Sequence, residues 1–171
     1  MNLKIRNPID IAVTGKYWVG RGAGSITTAL KQLLLQAEDE VQITSYSLGR
    51  NTLDLIDTLD RLSARGIRVQ LIVNKFNNQP PEAKTRLKEI SRRYPYFTLL
   101  NFEPKNKSEE LHAKIIVVDR RYAMIGSPNI SWHGMIANHE IAIIVENGVS
   151  AKIASMIDKL ARSPVIRRVG V

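Results

Sequence analysis

Apolar runs four to eight residues long alternate with segments of helical periodicity through most of the chain, and this alternation constrains the fold more than any other feature. The runs lie at residues 9–13, 41–46, 67–73, 97–102, 111–118, 122–125 and 141–145, and their lengths suit strands. Between them, Ile26, Ala29, Leu30, Leu33, Leu34 and Ala37 recur at helical spacing. Ser25 stands where a cap belongs, behind a glycine-rich turn at 20–24. A second amphipathic helix spans 51–65, with Leu55, Ile56, Leu59 and Leu62 on its apolar stripe and Gly66 at its end. Pro81 opens a third, strongly basic helix that runs to Arg93, and a last helix is expected at 149–161. Residues 103–110 read as a charged loop, 119–121 as a turn joining two antiparallel strands, and 163–171 as a basic tail. Strands alternating with helices, then a hairpin, predict one layered α/β domain over residues 1–171, its mixed central sheet flanked by helices.

Composition narrows the class of function. The chain has no cysteine, which excludes disulfides and thiolate zinc sites. The opening residues lack the apolar core of a secretory leader, and no stretch approaches the roughly 20 apolar residues of a membrane span. A cytoplasmic protein is the expectation. The net charge of +9, from 25 Lys and Arg against 16 Asp and Glu, favours a polyanionic partner such as nucleic acid or an acidic lipid headgroup.

The chemistry concentrates in the run 111–118. Side chains alternate along a strand, so His112 and Lys114 share one face with Ile116 and Val118, while Asp119 falls on the other. A core-facing strand gains nothing from an imidazole and an ammonium side by side. A phosphodiester does, because it needs a nucleophile and a fixed positive charge for its equatorial oxygens. Lys114 would also repel a cation, so neither a metal nor any other cofactor is expected. Downstream, Gly126-Ser127-Pro128-Asn129 offers short donors in a loop where Gly126 permits close backbone approach to a ligand. Glu140 opens the next strand, and its carboxylate could fix a histidine tautomer.

The spacing His112-x-Lys114-x4-Asp119-x6-Gly126-Ser127-x-Asn129 resembles the motif of the phospholipase D superfamily without a gap. Asn138-His139-Glu140 is similar to that family's Asn-x-Glu element, and 18–46 to its opening pattern of turn, helix and strand ending in tyrosine. The resemblance implies a phospholipase D-like α/β sandwich in which His112 forms a phosphohistidine. It further implies that Lys114, Ser127 and Asn129 bind the phosphate and that Glu140 orients the histidine. Asp119 and Gly126 are read as structural members of the motif. The family's usual site holds two such motifs and this chain has one, so a homodimer with two copies of His112 in one cleft is implied, as in the short endonuclease branch.

These readings converge on a metal-independent nuclease, acting on DNA more readily than RNA, either alone or within a larger nucleic-acid-processing assembly. Lys105, Lys107, Arg120 and Arg121, in loops flanking the catalytic strand, are candidate nucleic-acid contacts. Two alternatives stand beside it. One is a phospholipase or phosphatidyltransferase acting on lipid phosphodiesters, and the other a nucleic-acid-binding module with a vestigial site. Trp132 and His133, in the loop after Asn129, read as packing groups or a surface for a base.

Overall fold

The computed structural model describes residues 9–18, 22–49, 52–106, 108–131 and 133–170, with the side chain of His133 excepted. Gly20, Lys107 and Trp132 lie outside the described residues.

Among the described residues nine strands form one mixed sheet: β1 (Ile9–Thr14), β2 (Gly24–Ser25), β3 (Glu40–Ser45), β4 (Arg68–Asn74), β5 (Phe97–Phe102), β6 (Ile115–Val118), β7 (Tyr122–Gly126), β8 (Glu140–Glu146) and β9 (Ile166–Arg168). Their order is β2-β1-β8-β7-β6-β3-β4-β5-β9. One half is the parallel trio β3, β4 and β5, the other the antiparallel run β6, β7, β8 and β1. The antiparallel pairing of β6 with β3 joins them, from Val41 opposite Val118 to Thr44 opposite Ile115.

The helices are α1 (Ile26–Leu35), α2 (Leu53–Ala64), α3 (Pro81–Arg93) and α4 (Gly148–Ala161). The first three supply Leu33, Ile56, Leu59, Leu87 and Ile90 to one core, against Val41, Ile43, Leu71, Ile116 and Ile144 of the sheet. The other face carries a second core, where Ala154 and Ile157 of α4 meet Ile72, Leu100, Val117 and Val145. Both faces of the central strands are therefore covered, which explains why they read as near-continuous apolar runs rather than clean alternations. Ser25 occupies the cap position of α1 but makes no side-chain cap hydrogen bond.

Two expectations change. The run 111–118 enters the sheet ladder only at Ile115, opposite Thr44 of β3 and Ile125 of β7. Residues 111–114 lead into it, held by one backbone bond, from the Gly126 N–H to the Lys114 carbonyl at 3.4 Å, and by side chains. The Leu111 N–H donates to Asn74 Oδ1 at 2.9 Å, and the Thr44 hydroxyl donates to the Ala113 carbonyl at 3.1 Å. Second, the segment read as a basic tail contains β9, which adds an antiparallel edge to β5. Val165 and Ile166 pack on one core and Val169 on the other, so the basic residues among them masked its apolar contacts.

The turn between β6 and β7 is strained and strongly anchored. Asp119 and Arg120 both adopt left-handed backbone, at φ 52° and 53°, which costs a residue with a β-carbon about 1–2 kcal/mol. The Asp119 carboxylate accepts the backbone N–H groups of Glu38, Asp39 and Glu40, each at 2.9 Å, and its own N–H donates to the Glu40 carbonyl. It thereby locks the start of β3 to the end of β6. Asp119→Asn keeps the shape but turns an amide N–H toward a backbone donor. We expect it to lower the urea-derived unfolding free energy by about 2 kcal/mol, the scale of a charge-assisted hydrogen bond. A variant that unfolds like the parent and yet has lost all activity would give Asp119 a chemical role instead.

Candidate active site

The residues leading into β6 stand at the open end of the sheet. His112 is exposed there and Lys114 half-buried, and the Lys114 Nζ lies 2.9 Å from His112 Nδ1 and 3.4 Å from Nε2. An ammonium only donates, so a ring nitrogen that faces it serves as the acceptor. Burial pushes the Lys114 ammonium below the ordinary lysine range, and the nearby Glu140 charge partly opposes that shift. The strand-face assignment from sequence holds: the two side chains meet.

Ser127, Asn138 and Glu140 form the other wall. The Ser127 hydroxyl donates to Glu140 Oε2 and accepts the Ile141 N–H at 3.3 Å, and Asn138 Nδ2 donates to Glu140 Oε1 at 3.1 Å. The Glu140 carboxylate is thus engaged by Ser127 and Asn138. The expected bond to His112 is not among its hydrogen bonds within the chain. Asn129 is half-buried, and its Oδ1 is buried without a hydrogen-bond partner, a costly state for an amide oxygen. Gly126 has a structural place: a Cβ there would lie 2.4 Å from the Ile141 carbonyl and 2.7 Å from Ala142 Cα, so glycine admits the close approach of β8.

The basic candidates separate. Lys105 is exposed on the loop after β5, at the same end of the sheet as His112. Arg120 and Arg121 stand at the opposite end of β6, eight residues or more from His112, roughly 25 Å away at about 3.3 Å per residue. Arg120 is bound to Glu40 and Asp158, both at 2.6 Å, and Arg121 to Glu146 at 3.2 Å. They anchor the turn, and their position removes them from any track through the site. Position along the strand, and not only proximity to it, had to be read.

The structure adds residues that carried no role in the sequence reading. The Tyr46 ring lies 4.5 Å from the His112 ring, centroid to centroid, and 5.6 Å from Lys114 Nζ. Glu110 pairs with Lys75 at 2.9 Å. Its carboxyl is held below the usual range first by that hydrogen bond, opposed by desolvation, and further by the Lys75 charge, Tyr46 and His112. Lys75 and Asn74 at the end of β4 thus grip the two residues before His112. The signal was present in the run of β3 toward Tyr46, but only the pairing of β3 with β6 shows what that tyrosine faces.

The depressed basicity of Lys114 has a kinetic consequence. If its ammonium binds the substrate phosphate, kcat/KM falls on the alkaline side at a pH below that of an ordinary lysine. Lys114→Arg should move that limb upward, since guanidinium stays protonated. An alkaline limb unaffected by this substitution would assign it to another group.

A single family model, described as the cardiolipin synthase PLD-like domain, matches residues 30–162. The chain is 23% identical over 118 residues to the DISARM protein DrmC of Bacillus paralicheniformis, covering 68% of this chain and 48% of that protein. It is 25% identical over 138 residues to the 5'-3' exonuclease PLD3 of Bos taurus, covering 78% of this chain and 27% of that one. The chain therefore spans about half or less of these curated relatives. Its fold is similar to the crystal structure of Nuc from Salmonella typhimurium, a phospholipase D family member, with a TM-score of 0.75 and 16% identity, covering 95% of this chain and 98% of that one. With the family's region spanning all the residues described at the site, the chain belongs to the phospholipase D superfamily.

Proposed function

We propose that this chain is a metal-independent nuclease that cleaves DNA, or RNA, through a phosphohistidine formed on His112 in a homodimeric site. The observation that carries this reading is the contact of an exposed imidazole with a lysine ammonium at an open strand end. The net charge of +9 and the similarity to an exonuclease support a nucleic-acid substrate. In the proposed reaction a ring nitrogen of His112 attacks phosphorus in line. The ester oxygen departs and takes a proton from His112 of the partner subunit. That histidine then removes a proton from water, whose oxygen displaces His112 and completes hydrolysis. Lys114, Ser127 and Asn129 bind the phosphate oxygens in this scheme. Glu140 holds Ser127 and Asn138 in place, and Lys105 contacts the backbone beyond. Cytoplasmic action and a larger assembly belong to the same reading.

The second subunit follows from this scheme, since one motif supplies one histidine and the double displacement uses a nucleophile and a separate acid. A surface suited to it lies next to the site. Ile11, Ile143, Ile125 and Ile115 form a row across β1, β8, β7 and β6 on the α4 side of the sheet. Ile11 and Ile143 are exposed, as are their neighbours Ile9 and Ile141. The row begins one residue from Lys114, and Ile141 follows Glu140.

A lipid substrate is the second reading, favoured by one feature. A groove of about 500 Å³ between α1 and α2 is lined by Leu30, Leu34, Leu53, Ile130 and Met135. Ile130 and Met135 also line a small cleft at Lys114.

Mixing tests the shared site. Wild-type chain is combined with excess His112→Ala chain, and hydrolysis of plasmid, single-stranded DNA, RNA and phosphatidylcholine vesicles is followed in EDTA. The expected result is EDTA-resistant cleavage of nucleic acid that falls, per wild-type chain, as mixed dimers form. Constant activity after proven exchange would place a complete site in each subunit. Turnover of vesicles alone would establish the lipid reading.

A further inference from the structure

Three rings meet on the surface beside the site without any need of the fold. Tyr17 and Trp18, in the turn after β1, are 77% and 46% exposed. Tyr17 stacks on His139 with centroids 5.3 Å apart and planes 15° from parallel, and Trp18 meets the same imidazole edge-on at 6.3 Å and 79°. Large rings ordinarily contribute by burying their faces, so a tyrosine this exposed beside a half-exposed tryptophan adds little to stability. The arrangement is nevertheless well fixed. The Trp18 N–H closes the turn onto the Gly15 carbonyl at 3.0 Å. Gly15 has φ +93°, and a Cβ on it would stand 2.6 Å from the His139 ring, so glycine is what lets the imidazole seat against the turn.

The cluster is coupled to the site through Asn138. Its carbonyl accepts the Thr14 hydroxyl at 2.8 Å, which ties the aromatic turn to β8, while its side-chain amide holds Glu140. A cation completes the group: Lys16 Nζ lies 4.8 Å from the centre of the Tyr17 ring. Flat π-faces next to a mobile ammonium suit a base and the phosphate attached to it. Every base has such a face only when it is unpaired, so the fit is to a single strand.

The geometry points to Tyr17, Trp18 and His139 as a stacking platform for unpaired bases of a single-stranded nucleic acid, with Lys16 on the adjoining phosphate. The platform rests on the nucleic-acid reading above and narrows its substrate to strands whose bases are free. Its preformed turn lets a base dock without ordering a loop.

The test uses the full chain carrying His112→Ala, so that bound strands stay intact, and two labelled oligonucleotides of equal length and charge. One is oligothymidine and the other is abasic throughout. Anisotropy titrations at one ionic strength should give about tenfold tighter binding of oligothymidine. Tyr17→Ala should reduce that preference to twofold or less and leave the abasic affinity unchanged, whereas Tyr17→Phe should retain it. Sedimentation of each variant reports its assembly. The platform is overturned if Tyr17→Ala keeps the preference, or if it dissociates the protein and so marks Tyr17 as a subunit contact. Equal binding of both oligonucleotides by the unsubstituted platform also overturns it while leaving the nucleic-acid reading in place. Failure to bind either one at low salt removes both.

Discussion

The register of β6 against β3 is the constraint on which the rest of the structure depends. That pair joins the parallel half of the sheet to the antiparallel half, and with the β6–β7 pairing it sets where the residues ahead of β6 stand. A slip of one residue would turn His112 and Lys114 together to the opposite face of the sheet and bring Ala113 to theirs. The register is pinned at both ends. Asp119 gathers three backbone N–H groups ahead of β3, and Asn74 holds the Leu111 N–H beyond the ladder. Residues of the motif remote from phosphorus thus act on the site through the backbone.

The charges divide along the same axis. Many cations of this basic chain are spent within it. Arg86 pairs with Asp57 and Glu89, Arg93 with Asp60, and Arg120 and Arg121 hold the turn at the far end of β6. The net charge therefore overstates a continuous track along α3 or that turn. At the site end, Lys114 carries an ammonium weakened by burial, and Lys16 and Lys105 stand exposed. A nucleic-acid strand, on the proposed reading, would meet the rings and these exposed lysines before it met His112.

Much of this was legible in the residues because it rests on local rules. Strand alternation put His112 and Lys114 together, helical spacing found α1, α2 and α3, and Asp119 fell on the other face. What was missed depends on long-range pairing. Glu140 is close in kind to a histidine-orienting carboxylate, yet Ser127 and Asn138 engage it, which only the meeting of β7 with β8 determines. Tyr46 meets His112, and Lys75 meets Glu110, from segments whose proximity depends on the order of β3, β4 and β6. Residues 166–168 read as tail because their arginines masked a strand whose partner, β5, is more than sixty positions away.

In the proposed reaction His112 itself bonds to phosphorus. The most direct measurement is mass spectrometry of the chain quenched during turnover of an oligonucleotide, under alkaline conditions that preserve phosphohistidine. The account predicts a peptide containing His112 that carries a nucleotide through a phosphoramidate bond, lost on mild acid and lacking in His112→Ala. Rapid turnover with no adduct at His112, or an adduct on another residue, would contradict it.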